Sequence, residues 1–213
     1  MKRSFIRTIL FFLVAIVAAS CNTKDEVPSG EDNSFFVEFT IGTDTIIYKD
    51  GLYNYGNGPG ISTYEDSVGR LHSEFSTFVK SALDPTYESN ILTIQMVKFL
   101  NDTSYPSPST AFAFFNEGNY DYGSYVLDSS LAGINGAVIN YTDENGKIWS
   151  SDLQYGEQQS WSDFVISKHV SVIDDQFGGK TKGTFNCRVH DGLGGSLDLR
   201  NGQFHARTVF KPQ

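Results

Sequence analysis

Between Gly183 and Phe210 the sequence alternates apolar and polar residues with a period of two, interrupted only by glycine-rich punctuation. Phe185, Cys187 and Val189 fall on one side, followed by Leu197 and Leu199, then Phe204, Ala206 and Phe210. A period of two is the geometry of a strand, whose successive side chains leave opposite faces; a helix cannot gather such a set on one side. Asp191-Gly192-Leu193-Gly194-Gly195 and Asn201-Gly202 supply residues that tolerate positive φ. We therefore expect three strands, Gly183 to His190, Ser196 to Arg200 and Gln203 to Phe210, joined by two turns with the apolar set on the core side.

The same grammar runs upstream. Phe35, Val37, Phe39 and Ile41 alternate with Phe36, Glu38 and Thr40, and Gly42-Thr43-Asp44 turns the chain into a strand from Thr45 to Tyr48. The stretch from Asp50 to Thr63 contains Gly56, Gly58, Pro59 and Gly60 and reads as a loop. Leu71 to Val79 and Ile91 to Phe99 read as paired strands, and Ser107 to Phe115 as a short helix capped by Ser109 or Thr110 and stopped by Gly118. Ala137, Ile139 and Tyr141 lead into a hairpin turn at Asp143-Glu144-Asn145-Gly146, with Lys147 to Ser151 returning and Ser162 to Ser167 as a further strand. Aromatic residues are 14% of the chain and Gly is 20 of 213 residues, a composition suited to pleated sheets and turns. The expected fold is all-β: an antiparallel β-sandwich or jelly-roll of about ten strands with one short helix, in a single domain covering 34–213.

Residues 1–20 have the order of a secretory signal. Lys2, Arg3 and Arg7 precede an apolar run from Ile9 to Ala19, which ends in small residues. That run would rise only about 16 Å as a helix, roughly half a hydrocarbon core, so removal is expected in place of a membrane span. Ala18-Ala19-Ser20-Cys21 resembles the lipobox of bacterial lipoproteins, with Ala18 where Leu is usual. The resemblance implies lipid attachment at Cys21, which would become the mature N-terminus; the alternative is an ordinary signal peptide with a coincidental cysteine. Residues 21–33 are polar with Pro28 and Gly30 and read as a flexible acidic tether. Within it Lys24-Asp25-Glu26 resembles the surface-export signal of Bacteroidota lipoproteins, which implies an outer-membrane anchor facing the exterior; a periplasm-facing anchor is the other reading.

Loss of Met1 to Ser20 would remove three basic residues and no acidic one. The mature chain would then carry 13 positive and 25 negative charges, a net of −12 against −9 for the whole sequence. Such a charge favours solubility and argues against a nucleic-acid partner, because phosphate affinity needs clustered Lys and Arg. With Cys21 lipidated, Cys187 has no partner for an intramolecular disulfide.

The second half carries a recognisable string of motifs. Phe115 to Tyr122 runs into Gly-x-Tyr-x-Tyr, Asp143-x-Asn145-Gly146-Lys147 leads to Trp149-Ser150-Ser151, and Gln158-Gln159 precedes Phe164-x-Ile166. Lys182-Gly183-x-Phe185-x-Cys187 and Leu199-x-Asn201-Gly202-x-Phe204 complete it. From Ala111 to Val209 this resembles a family of uncharacterised Bacteroidota outer-membrane lipoproteins. The resemblance implies a β-sandwich and an envelope location, and it brings no reaction, cofactor or ligand.

Chemistry is sparsely signalled. Cys187 and His190 have a C-x-x-H spacing, but alternation puts them on opposite faces, so no metal site is expected; His190 and His205 share the outward parity and could approach one another. No nucleophile motif or phosphate loop is present, and no catalytic residue is assigned. Glu65, Asp66, Asp152, Glu157, Asp163, Asp174 and Asp175 lie in or near turns, where paired acids could serve a glycosidase or simply face water. Tyr48, Tyr53, Tyr55, Tyr64, Tyr120, Tyr122 and Tyr125 sit in or beside expected loops, and Trp161 has parity opposite to Phe164 and Ile166. Rings beside amides and carboxylates stack on sugars, so Trp161, Tyr53, Tyr55 and Tyr122 are the candidate ligand-binding residues; alternatively these rings cover sheet ends. Asp44-Thr45-Ile46 and Asp66-Ser67-Val68 resemble the O-glycosylation motif of Bacteroidota envelope proteins, with Thr45 and Ser67 as acceptors. The function expected is a lipid-anchored, non-enzymatic module that binds a glycan or an envelope partner. An accessory subunit of an outer-membrane transport or adhesion assembly is the alternative, and a small carbohydrate-active enzyme a third.

Overall fold

The computed structural model describes residues 35–49, 55–65, 71–81, 89–100, 113–125, 134–172 and 178–209, all within the compact unit Ser34–Gln213. The fold is all-β and antiparallel. Its strands are β1 (Phe36–Ile41), β2 (Asp44–Lys49), β3 (Tyr55–Glu65), β4 (Leu71–Ser81), β5 (Ile91–Leu100) and β6 (Gly118–Tyr120). They continue with β7 (Gly136–Thr142), β8 (Ile148–Ser150), β9 (Asp163–Val172), β10 (Gly178–His190) and β11 (Ser196–Val209). Nine of them follow the hydrogen-bonded order β2-β1-β11-β10-β8-β7-β5-β4-β3, and β9 branches from β10 and carries β6.

The sheet folds over one core. Phe39 on β1 and Tyr141 on β7 are far apart in the strand order, yet their rings meet edge to face at 5.5 Å, and Phe39 also meets Phe185 of β10 at 6.3 Å. The two arms therefore face each other as in a sandwich. Alternation set this up: Val37, Phe39, Leu92, Ile94, Met96, Phe164, Ile166, Phe185, Cys187, Val189, Leu199, Phe204 and Ala206 are all buried. Leu197 and Ile41 pack on the edge of this cluster. Each buried Phe, Leu or Ile contributes about 1.5–3 kcal/mol, and Cys187 adds no disulfide, since it is a free thiol sealed inside the core.

Two elements depart from expectation. The stretch expected as a loop from Asp50 to Thr63 overlaps β3, which pairs with β4 from Tyr55↔Ser81 to Glu65↔Leu71 and includes Pro59 opposite Thr77. β3 ends the strand order and hydrogen-bonds along one side only, so a proline is tolerated there, and Gly56, Gly58 and Gly60 share a single face. The turn expected at Asn201-Gly202 does not exist either. β11 runs through it as one strand of 14 residues with a β-bulge, because Asn201 takes up its positive φ of 54° within the ladder and not in a hairpin. Of the expected short helix only its end is described, a helical Ala113 leading into a turn at Phe114 and Phe115; the rest of it lies outside the described residues.

The hairpin between β7 and β8 is formed as its sequence demands. Asp143 and Lys147 close it, Gly146 takes φ 78°, and the Asp143 carboxylate accepts the backbone N–H groups of Asn145 and Lys147 at 2.9 Å each.

Candidate functional site

β10 is flanked by β9 as far as Asn186↔Asp163 and by β8 only at His190↔Ser150, which leaves a gap at Arg188. Gln158 fills it. Its Oε1 accepts the Arg188 N–H at 3.0 Å, and its Nε2 donates to the Arg188 carbonyl at 2.7 Å and to the Ser151 carbonyl at 3.2 Å. A side-chain amide thus stands in for a missing strand and satisfies backbone groups that would otherwise be costly to bury. Immediately beyond it the chain makes a tight turn in which Ser162 N–H donates to the Gln159 carbonyl at 2.9 Å and Gln159 N–H to Ser162 Oγ at 3.2 Å. Trp161 rides on this turn at the start of β9, half-buried on the outward side of the sheet.

Opposite it, the β11 bulge aims a guanidinium at the indole. On the β10 side, Phe185 pairs with Gly202 and Cys187 with Leu199, so Asn186 alone faces both Arg200 and Asn201. Asn186 Oδ1 accepts the Asn201 N–H at 2.8 Å, and its Nδ2 donates to Asp163 at 2.6 Å. On the β1 side Thr40 Oγ1 donates to the Arg200 carbonyl at 3.1 Å. Gly202 is required because a Cβ there would lie 2.5 Å from the buried Phe185 ring. The extra residue lifts Arg200 so that its guanidinium carbon sits 3.0 Å from the Trp161 ring centroid, while that of Arg188 lies at 6.0 Å. Arg188 grips Asp198 in a fork, with Nε to Oδ1 at 2.7 Å and Nη2 to Oδ2 at 3.2 Å; Arg200 approaches the same carboxylate at 3.6 Å. The Arg188 hydrogen bonds hold the Asp198 carboxyl below its ordinary pKa. The result is an aromatic ring, two guanidiniums, a carboxylate and two side-chain amides on a polar outer face formed by neighbouring strands.

The other candidates are placed differently. Tyr122 is a core residue. Its ring is 6% exposed, it packs edge-on against Phe164, and its hydroxyl donates toward the carbonyls of Asp163 at 3.1 Å and Asn186 at 3.0 Å. Burial also pushes its pKa well up, so this ring braces the floor of the site and presents no face to a ligand. Tyr48 is likewise buried, and Trp149 is covered by Lys147, whose ammonium lies 4.1 Å from the ring centroid. Tyr55 stands on β3, and Tyr53 lies outside the described residues, as do Cys21, Lys24, Asp25, Glu26 and Ser67. Thr45 is exposed on β2.

The acids sort by partner. Asp152 is fully buried, and its oxygens accept Ser124 Oγ at 2.7 Å, Tyr125 N–H at 3.1 Å, and Gln154 N–H and Nε2 at 2.9 Å each. It ties the segment 121–125, which hydrogen-bonds beside β7, to the turn after β8. Asp163 is held by Asn186, Glu157 is exposed, and Glu65 ends β3; Asp66, Asp174 and Asp175 lie outside the described residues. His205, expected to face outward beside His190, is opposite Lys182, eight positions from His190 along β10, and is buried against Phe35 at 5.1 Å. Cys187 points into the core, where burial raises its pKa to about 12, so it has no thiolate to offer a metal. Among the described residues no group of three His, Cys, Asp or Glu could hold a metal ion.

Comparison with protein-family models, with curated proteins and with solved structures returns no match to this chain. Sequence reasoning found Trp161 by parity but not Arg188, Arg200, Asn186 or Gln158. The Asn201-Gly202 pair was their signal, because an Asn-Gly inside an otherwise unbroken alternation marks a bulge as well as it marks a turn.

Proposed function

We propose that this chain is a lipid-anchored envelope protein, held at the outer membrane through Cys21 and facing the exterior, whose β-sandwich is a non-enzymatic glycan-binding module. The Trp161 corner carries the reading. A half-buried indole on a rigid sheet, one side of it covered by the Arg200 guanidinium, offers its remaining exposed surface to a sugar, and Arg188, Asn186, Asn201 and Asp198 on the neighbouring strands supply donors and acceptors for hydroxyl groups. Each of these side chains is fixed by its own partner, so little ordering entropy is lost on binding. Asp152 and Asp163 are engaged in holding the scaffold, which weighs against the paired-carboxylate enzyme. A glycan array probed with the full chain in detergent tests the site: binding is expected, and Trp161→Ala should abolish it without lowering the unfolding temperature by more than a few degrees.

An accessory subunit docking on an outer-membrane assembly is favoured by a different observation. Leu193 is 89% exposed in the turn between β10 and β11, Tyr155 packs against Gly192 of that turn while itself exposed, and Lys147, beside exposed Ile148, pairs with Asp191 at 2.7 Å. These apolar groups share one end of the sandwich. In-cell cross-linking from position 193 that yields a reproducible protein adduct would support this role.

A further inference from the structure

The outer face beside Trp161 has a charge pattern at odds with the whole chain. The protein carries a net −9, yet the outward positions of β10 read Lys180, Lys182, Thr184, Asn186, Arg188 with no acid among them. The register places like charges opposite: Lys182 faces Lys168 of β9, and Lys180 faces Arg207 of β11. Lys168 and Lys182 are both exposed. Directly opposed like charges on one sheet face destabilise the pair, so the exposed Lys168–Lys182 pair in an acidic protein is a cost to the fold that a bound anion would offset. At about 3.3 Å per residue the strip from Lys180 to Arg188 is roughly 26 Å long and ends at the Trp161–Arg200 contact.

Among the described residues the two acids nearest Trp161 are engaged, and Glu117 lies near His169 of β9. Asp198 is gripped by Arg188 and Asp163 by Asn186, while Glu38 stands on β1 opposite Gln203. The guanidinium of Arg200 reaches Asp198 only at 3.6 Å and sits 3.0 Å from the indole centroid, and a guanidinium has five N–H donors, so a bound carboxylate could take its fork.

We propose that the glycan is a polyuronate: an extended chain of carboxylated sugars lying along β10, with one carboxylate on the Arg200 fork beside Trp161 and others over Lys182 and Lys168. This rests on the glycan-binding reading and adds to it the charge of the ligand. Lys180 and Lys182 stand about 6.6 Å apart and Arg188 about 20 Å further along, three cations over roughly 26 Å, much sparser than the roughly 1.7 Å between charges of duplex nucleic acid. The half-buried indole at the end of the strip, covered on one side by Arg200, leaves its remaining exposed surface for a sugar ring, which an acidic peptide does not need.

The test uses the full chain in detergent with three probes: hexamers of galacturonate, mannuronate and glucuronate; the same hexamers with their carboxyls reduced to alcohols; and poly-glutamate of similar length. At least one uronate hexamer should bind, with affinity falling as salt is raised, and its reduced counterpart should bind at least about tenfold more weakly, the loss expected for a charge-assisted hydrogen bond. Arg200→Ala should cost about tenfold and Arg200→Lys nearly as much, because the lysine keeps the charge and loses the fork. The double variant Lys168→Ala/Lys182→Ala should weaken binding and flatten the salt dependence while raising thermal stability. Equal affinity for uronate and reduced hexamers, both lost in Trp161→Ala, would overturn the polyuronate and leave the glycan module standing. Equal affinity for poly-glutamate would overturn the sugar, and no binding of any hexamer would overturn both.

Discussion

Asn186 and Asn201 are locked together across β10 and β11, the side-chain carbonyl of one accepting the backbone N–H of the other at 2.8 Å. That bond satisfies the donor a bulge leaves over, and the bulge in turn lays Arg200 on Trp161. A local backbone irregularity therefore positions the one corner of the sheet that is rich in recognition chemistry.

Asn186→Ala should destabilise the protein by about 1–2 kcal/mol, since it removes two hydrogen bonds and leaves the Asn201 N–H without its acceptor. Asn201→Gly should be close to neutral because glycine accepts φ 54° without strain, whereas Asn201→Val should cost more than Asn186→Ala. Urea denaturation of the three variants gives the ranking directly.

Asp152→Ala should be among the most damaging single changes, costing about 3 kcal/mol or more. It removes a fully buried carboxylate that accepts the Ser124 hydroxyl and the N–H groups of Tyr125 and Gln154, and leaves a cavity in its place. Asp152→Asn should also destabilise, because its amide N–H₂ would face donors. Equilibrium unfolding checks both; a mild effect of Asp152→Ala would mean that the 121–125 segment is held by other contacts.

Asp191 links pH to stability. The hydrogen bond from Lys147, with the N–H groups of Leu193 and Gly195, holds its carboxyl at about 2, below the ordinary 3.8. A depressed folded-state pKa means that the contribution is fully present above about 4 and is lost as pH falls from there toward 2. Asp191→Asn should therefore flatten the acid limb of a stability profile between pH 4 and 2, and Lys147→Ala should move the limb to higher pH.

Cys187 should resist alkylation in the native state. Fully buried, with its pKa pushed up to about 12, it has neither access nor thiolate at pH 8. Labelling of the chain after the Cys21 position is blocked should track global unfolding in denaturant; prompt labelling of Cys187 without denaturant would contradict the packing of β10.

Much of the fold could be read from residues. The core faces of β1, β5, β9, β10 and β11 follow from alternation, because one side of each strand meets the core and period two leaves no choice of register. What could not be read has a common cause. Pro59 and the glycines of β3 carry turn chemistry, but an edge strand asks little of its free side, so tertiary position overrode local preference. Asn201-Gly202 satisfies a turn and a bulge equally well, and only the length of the β10 ladder decides between them. The site was half visible. Trp161 stood out by its parity, while Tyr122 was misread as a surface ring, since nothing in its sequence neighbourhood shows that Phe164 and two carbonyls enclose it. Arg188 and Arg200 come together only through strand pairing, twelve positions apart in sequence.

The central claim is that Trp161 and its guanidinium partners form a glycan-binding surface. Titration calorimetry of the full chain in detergent, with the tightest-binding oligosaccharide from an array, tests it most directly when run in parallel on wild type and Trp161→Ala. Saturable binding to the wild type with a loss of at least about thirtyfold in Trp161→Ala, roughly 2 kcal/mol for one stacked ring with its displaced water, is the predicted result. Undiminished binding by a folded Trp161→Ala variant would contradict it.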